Sequence, residues 1–97
     1  SRRLTVADIQ KEVETFFKVS HADLVGKKRT RNIIYARQIA MYLSRQMLEM
    51  PFNDIGKKFN RDHSTVMYSV TNVEEKMKES RELQEEIEAL KQIIREI

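Results

Sequence analysis

Cysteine is absent from the sequence, and its 97 residues include only one proline and two glycines. Without cysteine the chain can form neither disulfide bonds nor thiolate metal sites. Scarce glycine and proline favour helices joined by short turns over a sheet-rich fold. The sequence also has no long apolar run and no signal-like start. We therefore expect residues 1–97 to form one small domain that is soluble, is not exported and is located in the reducing cytoplasm.

Acidic residues are missing from one long stretch. Residues 26–48 contain six basic side chains and no acidic one. Residues 1–70 carry a net charge of +6, whereas residues 71–97 carry −3. Because like charges repel one another, the basic stretch indicates a polyanionic partner. A basic helix face exposed to solvent explains the charge equally well, so both interpretations stay open.

Apolar residues recur at helical spacing through most of the chain. Thr5 with Asp8, and Ser20 with Asp23, resemble the capping boxes that begin helices. The pattern predicts an all-α fold, a small bundle of about six helices. The predicted helices cover residues 6–18, a short stretch ending at Gly26, then 31–48, 52–59, 62–78 and, as an amphipathic closing helix, 81–97.

The fourth and fifth predicted helices are short and close together. A tight turn at Asn60 and Arg61 joins them, and Gly56 supplies a small residue in the first. This arrangement is typical of a helix-turn-helix over residues 52–78, in a TrpR-like bundle. Many helical hairpins share the spacing, so it does not establish a function by itself.

The long third helix has one clear apolar stripe. Its members are Ile33, Ala36, Ala40, Leu43 and Met47. Arg37, Gln38 and Arg45 fall off this stripe, so we expect them to face outward.

Asp62, His63 and Ser64 have the residue types of a hydrolase triad. Consecutive helical side chains point about 100° apart, so these three cannot form the triad's proton relay. His21 and His63 are the only histidines, and no thiol accompanies them, which excludes the usual metal sites. The segment GKKRT lacks the first glycine of a phosphate-binding loop. We therefore predict that the chain is not an enzyme.

The same residues suit a helix that reads DNA. They open the second helix of the helix-turn-helix, whose side chains meet base edges in the major groove. Aspartate can accept from cytosine and histidine can bond purine acceptors, and a capping role is compatible with both. Arg29 and Arg31 lie where a basic arm could reach the neighbouring minor groove. Arg37, Gln38 and Arg45 would then follow the DNA backbone.

Two blocks of the sequence resemble a known family. KKRTRNIIYARQIAMYLSRQM and IGKKFNRDHSTVMYSV are similar to the C-terminal DNA-binding domain (domain IV) of the bacterial replication initiator family DnaA. The resemblance covers nearly the whole chain. It implies a helical domain that binds asymmetric DnaA boxes in double-stranded DNA at the replication origin, in the bacterial cytoplasm and on the nucleoid.

The resemblance also implies residue roles. Arg29 matches a minor-groove arginine; Asp62, His63 and Ser64 match the group that reads bases in the major groove. Phosphate contacts are implied for Arg31, Gln38, Arg45 and Thr65. The full set of assigned contacts is Arg29, Asp62, His63 and Ser64 to bases, and Lys28, Arg31, Arg37, Gln38, Arg45, Arg61 and Thr65 to the DNA backbone.

Full-length members of the family carry an AAA+ ATPase module before this domain. The resemblance therefore implies that ATP and Mg²⁺ belong to that module, and no cofactor is expected in these residues. It further implies a monomeric isolated domain, one per box, and a full-length protein that oligomerises on DNA, with no membrane partner.

Three features depart from the family pattern. Asn60 stands where two glycines are common, which shortens the turn by one residue. PFND at residues 51–54 replaces the usual Ser-Leu-Pro-Glu, and Asn72 replaces a charged residue. Two other functions remain open: a helix-turn-helix transcription regulator, dimerising through its last helix, and a basic helical module that binds an acidic protein.

Overall fold

The computed structural model describes residues 3–97, which form six α-helices and no strand. The helices are α1 (Val6–Phe17), α2 (His21–Val25), α3 (Arg31–Leu48), α4 (Phe52–Phe59), α5 (His63–Met77) and α6 (Arg81–Arg95). This confirms the predicted all-α bundle, with α4 and α5 as the helix-turn-helix. The predicted bounds of α3 and α4 agree with the structure, and the ends of α1, α5 and α6 differ by no more than two residues.

Side-chain caps explain where several helices begin. Thr5 and Asp8 form a reciprocal capping box, in which the Asp8 amide donates to Thr5 Oγ1 at 3.3 Å and the Thr5 amide donates to Asp8 Oδ2 at 2.9 Å. Ser20 caps α2, and Ser80 caps α6 by accepting from the Leu83 amide at 3.1 Å. These caps satisfy amides that have no partner within the helix.

Helix α3 runs through the centre of the bundle. It packs against α1, α2, α4 and α5, while α6 covers α1 and α5. Because neighbours surround α3, its buried surface is wider than the predicted stripe and also includes Ile39, Met41 and Tyr42. Within the part of the chain that the structure describes, no helix has both the length and the apolar character needed to cross a membrane.

The turn between α4 and α5 fits closely against α4. Asn60 adopts the left-handed conformation, with φ 57° and ψ 44°, which asparagine tolerates better than most residues. A Cβ atom added to Gly56 would lie 2.2 Å from the carbonyl oxygen of Arg61, so only glycine fits there. The turn therefore packs directly against the backbone of α4 at Gly56.

Candidate nucleic-acid interface

The first turn of α5 presents four polar side chains to solvent: Asp62, His63, Ser64 and Thr65. Asp62 is the N-cap, and its Oδ1 accepts from the Thr65 amide at 2.9 Å. This backbone hydrogen bond holds the pKa of Asp62 below its usual value, so the carboxylate is ionised at neutral pH. Successive side chains are rotated by about 100° and spread as a fan, which suits contact with several bases.

The fan is not a catalytic triad. The Asp62 carboxylate is engaged with Thr65 rather than aligned on the ring of His63. Among residues 3–97, no group of three or more histidine, cysteine, aspartate or glutamate side chains could hold a metal ion.

The basic loop, residues 27–30, connects α2 to α3. Lys27, Lys28 and Arg29 are exposed, as is Arg31 at the start of α3. Lys28 lies 3.8 Å from Asp23, a weak surface ion pair. The predicted end of α2 at Gly26 is confirmed, and this glycine is extended rather than left-handed. A Cβ atom added to Gly26 would lie 2.4 Å from the carbonyl oxygen of Ala22. The chain at Gly26 therefore packs directly against the backbone of α2, without room for a side chain.

A groove links the basic loop with α5. Its polar lining consists of Lys27, Arg29, Arg37, Gln38, Asn60, Arg61, Thr65, Tyr68 and Ser69. Arg29 and Thr65, distant in sequence, thus border one concave surface. Arg45 lies in the last turn of α3, about 21 Å from Arg31 along the helix axis. Arg31, Gln38 and Arg45 therefore lie along one side of α3, with the basic loop at its start.

One orientation was predicted wrongly. Arg37 does not face outward: it is only 6% exposed, and its guanidinium donates to the carbonyl oxygens of Asp23, Leu24 and Lys28. Burial lowers the pKa of Arg37, and the charge of Arg61 acts in the same direction. The cause of the error is non-local, because α2 and the basic loop fold over a face of α3 that periodicity within one helix assigns to solvent. Because these carbonyls hold its buried guanidinium, Arg37 is not counted among the proposed contacts to the DNA backbone.

Comparison with known proteins identifies the family. The family described as "Bacterial dnaA protein helix-turn-helix" matches residues 6–73. The chain belongs to this family. It is also similar to the chromosomal replication initiator protein DnaA of Limosilactobacillus fermentum, with 42% identity over 89 residues, 91% of the chain and 20% of that relative. Identity to the DnaA of Rhizobium meliloti is 44% over 96 residues, 98% of the chain and 20% of the relative. The DnaA of Lactococcus lactis subsp. cremoris gives 44% over 89 residues, with 91% and 20% coverage.

The chain spans about a fifth of the length of the DnaA relatives it matches. The family match over residues 6–73 is to a helix-turn-helix, the motif predicted for residues 52–78. The resemblance to DnaA drawn from the two sequence blocks is confirmed.

Two departures from the DnaA pattern have partners within the fold. Asn60 occupies the left-handed position of the turn, and its Nδ2 donates to the carbonyl oxygen of Val25 at 3.2 Å. Asn72 Nδ2 donates to Gln38 Oε1 at 2.7 Å. With its oxygen engaged, Gln38 retains its NH₂ group as a donor for an outside acceptor such as a phosphate.

Arg45 and Arg61 are half-buried and have roles within the protein. Arg45 Nη1 donates to the carbonyl oxygen of Met50 at 2.6 Å. Arg61 donates to the carbonyl oxygens of Gly26 and Phe59. Each keeps an exposed part, so their assignment to phosphates stays a prediction.

Met67 and Tyr68 were missed by the sequence reasoning. They are 45% and 66% exposed on α5, and Tyr68 borders the groove next to Thr65. The missed signal is their position, three and four residues after Ser64, with Tyr68 on the side of α5 opposite the buried Val66 and Val70.

Proposed function

We propose that this DnaA-family domain binds double-stranded DNA sequence-specifically, reading DnaA boxes at a replication origin. In this proposal α5 enters the major groove, where Asp62, His63 and Ser64 meet base edges. Arg29, on the basic loop, enters the neighbouring minor groove. The observation that carries the proposal is that Thr65, the last residue of the exposed fan, lines one basic groove together with Arg29 of the basic loop.

The chemistry of the fan supports base readout in the major groove. An ionised carboxylate accepts from cytosine N4, an imidazole bonds purine acceptors, and a hydroxyl serves as donor or acceptor. The Asp62 cap also keeps this turn rigid, so less conformational entropy is lost on binding.

Backbone contacts supply most of the affinity. The exposed Lys28, Arg31 and Thr65 can approach phosphates directly, together with Gln38 and the exposed parts of Arg45 and Arg61. With Arg37 removed from the set, about four or five cations neutralise phosphates, and log K should fall with log salt at a slope of about −3.6 to −4.5.

The rest of the proposal concerns the longer protein. DnaA relatives are named chromosomal replication initiators, and we propose the same role for the protein that contains this domain. We further propose that ATP and Mg²⁺ bind an AAA+ module outside these residues, and that the full protein oligomerises on origin DNA in the cytoplasm. One isolated domain would occupy one asymmetric box.

Fluorescence anisotropy over a range of salt concentrations tests the proposal. The probes are a duplex with a DnaA box from the origin of a relative and a scrambled duplex of equal length and composition. We expect the box to be bound at least about 1,000-fold more tightly. Equal affinity for both duplexes would contradict the proposal and would indicate a basic module that has no sequence preference.

Light scattering of the complex tests the stoichiometry. One protomer per box supports the initiator domain. Two protomers on a palindromic site, joined through α6, would instead support a dimeric transcription regulator.

A further inference from the structure

Five backbone carbonyls, four consecutive ones at the end of α2 and one in the basic loop, accept hydrogen bonds from three side chains. Arg37 donates to Asp23 O at 2.7 Å, Leu24 O at 2.8 Å and Lys28 O at 3.0 Å; Asn60 donates to Val25 O at 3.2 Å; and Arg61 donates to Gly26 O at 2.5 Å. We call Arg37, Asn60 and Arg61 the carbonyl clamp.

The clamp meets a need created by the short helix. The last four carbonyls of a helix have no partner within it, and α2 has only five residues. Cationic donors are favoured at this end of a helix. Burying the Arg37 guanidinium is costly, and its three hydrogen bonds to carbonyl oxygens offset that cost.

The clamp also joins two parts of the proposed DNA-binding surface. Asn60 and Arg61 form the turn that aims α5, whereas the carbonyls they bond lie just before the basic loop that carries Arg29. Residues 27–30 are lysine, lysine, arginine and threonine, all exposed, so apolar burial cannot hold this loop in place.

We propose that the carbonyl clamp positions the basic loop against the helix-turn-helix, so that Arg29 and the fan of α5 meet DNA as one rigid unit. The inference rests on the proposed DNA-binding function. In it Arg37, Asn60 and Arg61 are positioning residues: they act through Arg29, and Arg37 does so without touching DNA. Asn60, a departure from the family pattern, thus gains a role.

The central variant is Asn60→Gly. Glycine accepts the left-handed φ of 57° without strain, so the turn is kept while the bond to Val25 is lost. The matched control is Glu49→Gly, at the exposed left-handed cap of α3, where φ is 55°. Arg37→Lys is a second variant, which keeps the charge and cannot reproduce the three bonds in the same geometry.

The first test is a double-mutant cycle on box DNA. We expect Asn60→Gly to weaken binding about threefold to tenfold in the native background, the scale of one lost hydrogen bond. In an Arg29→Ala background the same change should have almost no effect, because the residue that the clamp positions is gone. The control Glu49→Gly should show no coupling to Arg29. Equal losses from Asn60→Gly in both backgrounds would overturn the inference.

The second test needs no DNA. Trypsin cleaves after Lys27, Lys28 and Arg29, and mass spectrometry gives the rate at each site. We expect faster cleavage in the loop for Asn60→Gly and Arg37→Lys, and the native rate for Glu49→Gly. A native rate for Asn60→Gly would overturn the inference.

The outcomes separate the two proposals. If the native domain does not prefer the box, the proposed function fails. If the native domain prefers the box, and Arg29 still contributes fully to binding in the Asn60→Gly variant, only the proposal about the carbonyl clamp fails.

Discussion

The guanidinium of Arg45 lies 4.3 Å from the ring centroid of Phe52, and its Nη1 donates to the carbonyl oxygen of Met50. One side chain thus ties the end of α3 to the start of α4 across Pro51. Phe52 begins the helix-turn-helix, so Arg45 helps to hold that unit on the bundle. Its assigned phosphate contact is therefore combined with a structural role.

Arg45→Ala should have two measurable effects. Loss of the ring contact and of the hydrogen bond should lower the free energy of unfolding by about 1 kcal/mol, measured by urea denaturation. Loss of one phosphate contact should also weaken all duplexes about equally and make the salt slope shallower by about one unit.

Two controls separate these effects. Arg45→Lys should retain much of the salt slope while losing the planar stacking on Phe52. Gln46→Ala, at the exposed neighbouring position, should change neither quantity. An unchanged salt slope for Arg45→Ala would remove Arg45 from the phosphate contacts.

His63→Ala should weaken binding to the box by about 1–3 kcal/mol and leave binding to scrambled DNA almost unchanged. The physical reason is that base contacts discriminate, whereas phosphate contacts do not. His21→Ala is the matched control, since His21 is exposed on α2 and pairs with Glu14 at 2.7 Å. A native ratio of box to scrambled affinity in His63→Ala would show that His63 reads no base.

Asp62→Asn should separate capping from readout. Asparagine is as good an N-cap as aspartate, so the thermal midpoint at pH 7 should stay near the native one, whereas Asp62→Ala should lower it. Removing the negative charge should strengthen binding to scrambled DNA, and losing the pure acceptor should reduce preference for the box. Anisotropy with both duplexes checks this; an unchanged preference would exclude Asp62 from readout.

The same residue predicts a pH dependence of stability. Because folding lowers the pKa of Asp62 from its ordinary 3.8, its contribution is complete above that pH and is lost as the pH falls through the folded-state pKa. Thermal midpoints measured from neutral to acidic pH should therefore fall less steeply for Asp62→Asn than for the native chain. Identical pH profiles would contradict the assigned cap.

Gly56→Ala should destabilise the domain, although alanine favours helix by about 1 kcal/mol over glycine. The added Cβ would meet the Arg61 carbonyl at 2.2 Å, and backbone must move to relieve it. We expect a loss of about 2–3 kcal/mol by urea denaturation. Asn53→Ala, at an exposed site of the same helix, should be neutral or stabilising; a stabilised Gly56→Ala would show that the turn is not tightly packed.

Most helix boundaries could be predicted because their causes are local. Thr5, Ser20 and Ser80 each cap the helix that follows them, and the apolar period of α4 is complete within eight residues. The position of the fan was predictable for the same reason, since it depends on where α5 starts.

The partners of Asn60 and Gln38 could not be predicted. Each bonds an atom that lies more than thirty residues away, Asn60 to Val25 and Gln38 to Asn72. Periodicity gives the face of a helix and not the element that packs on it. The exposure of Tyr68 was available from the sequence, because it lies opposite the Val66 and Val70 stripe.

The sequence by itself determined the helices, their caps and the concentration of positive charge in residues 26–48, since these follow from neighbouring residues. Only the tertiary structure decided which cations are available to a partner. Arg29 is exposed, whereas Arg37, from the same basic stretch, is buried on backbone carbonyls. The physical reason is that α2 is too short to supply hydrogen-bond donors to its own last carbonyls. The side chains that donate to these carbonyls come from α3 and from the turn before α5.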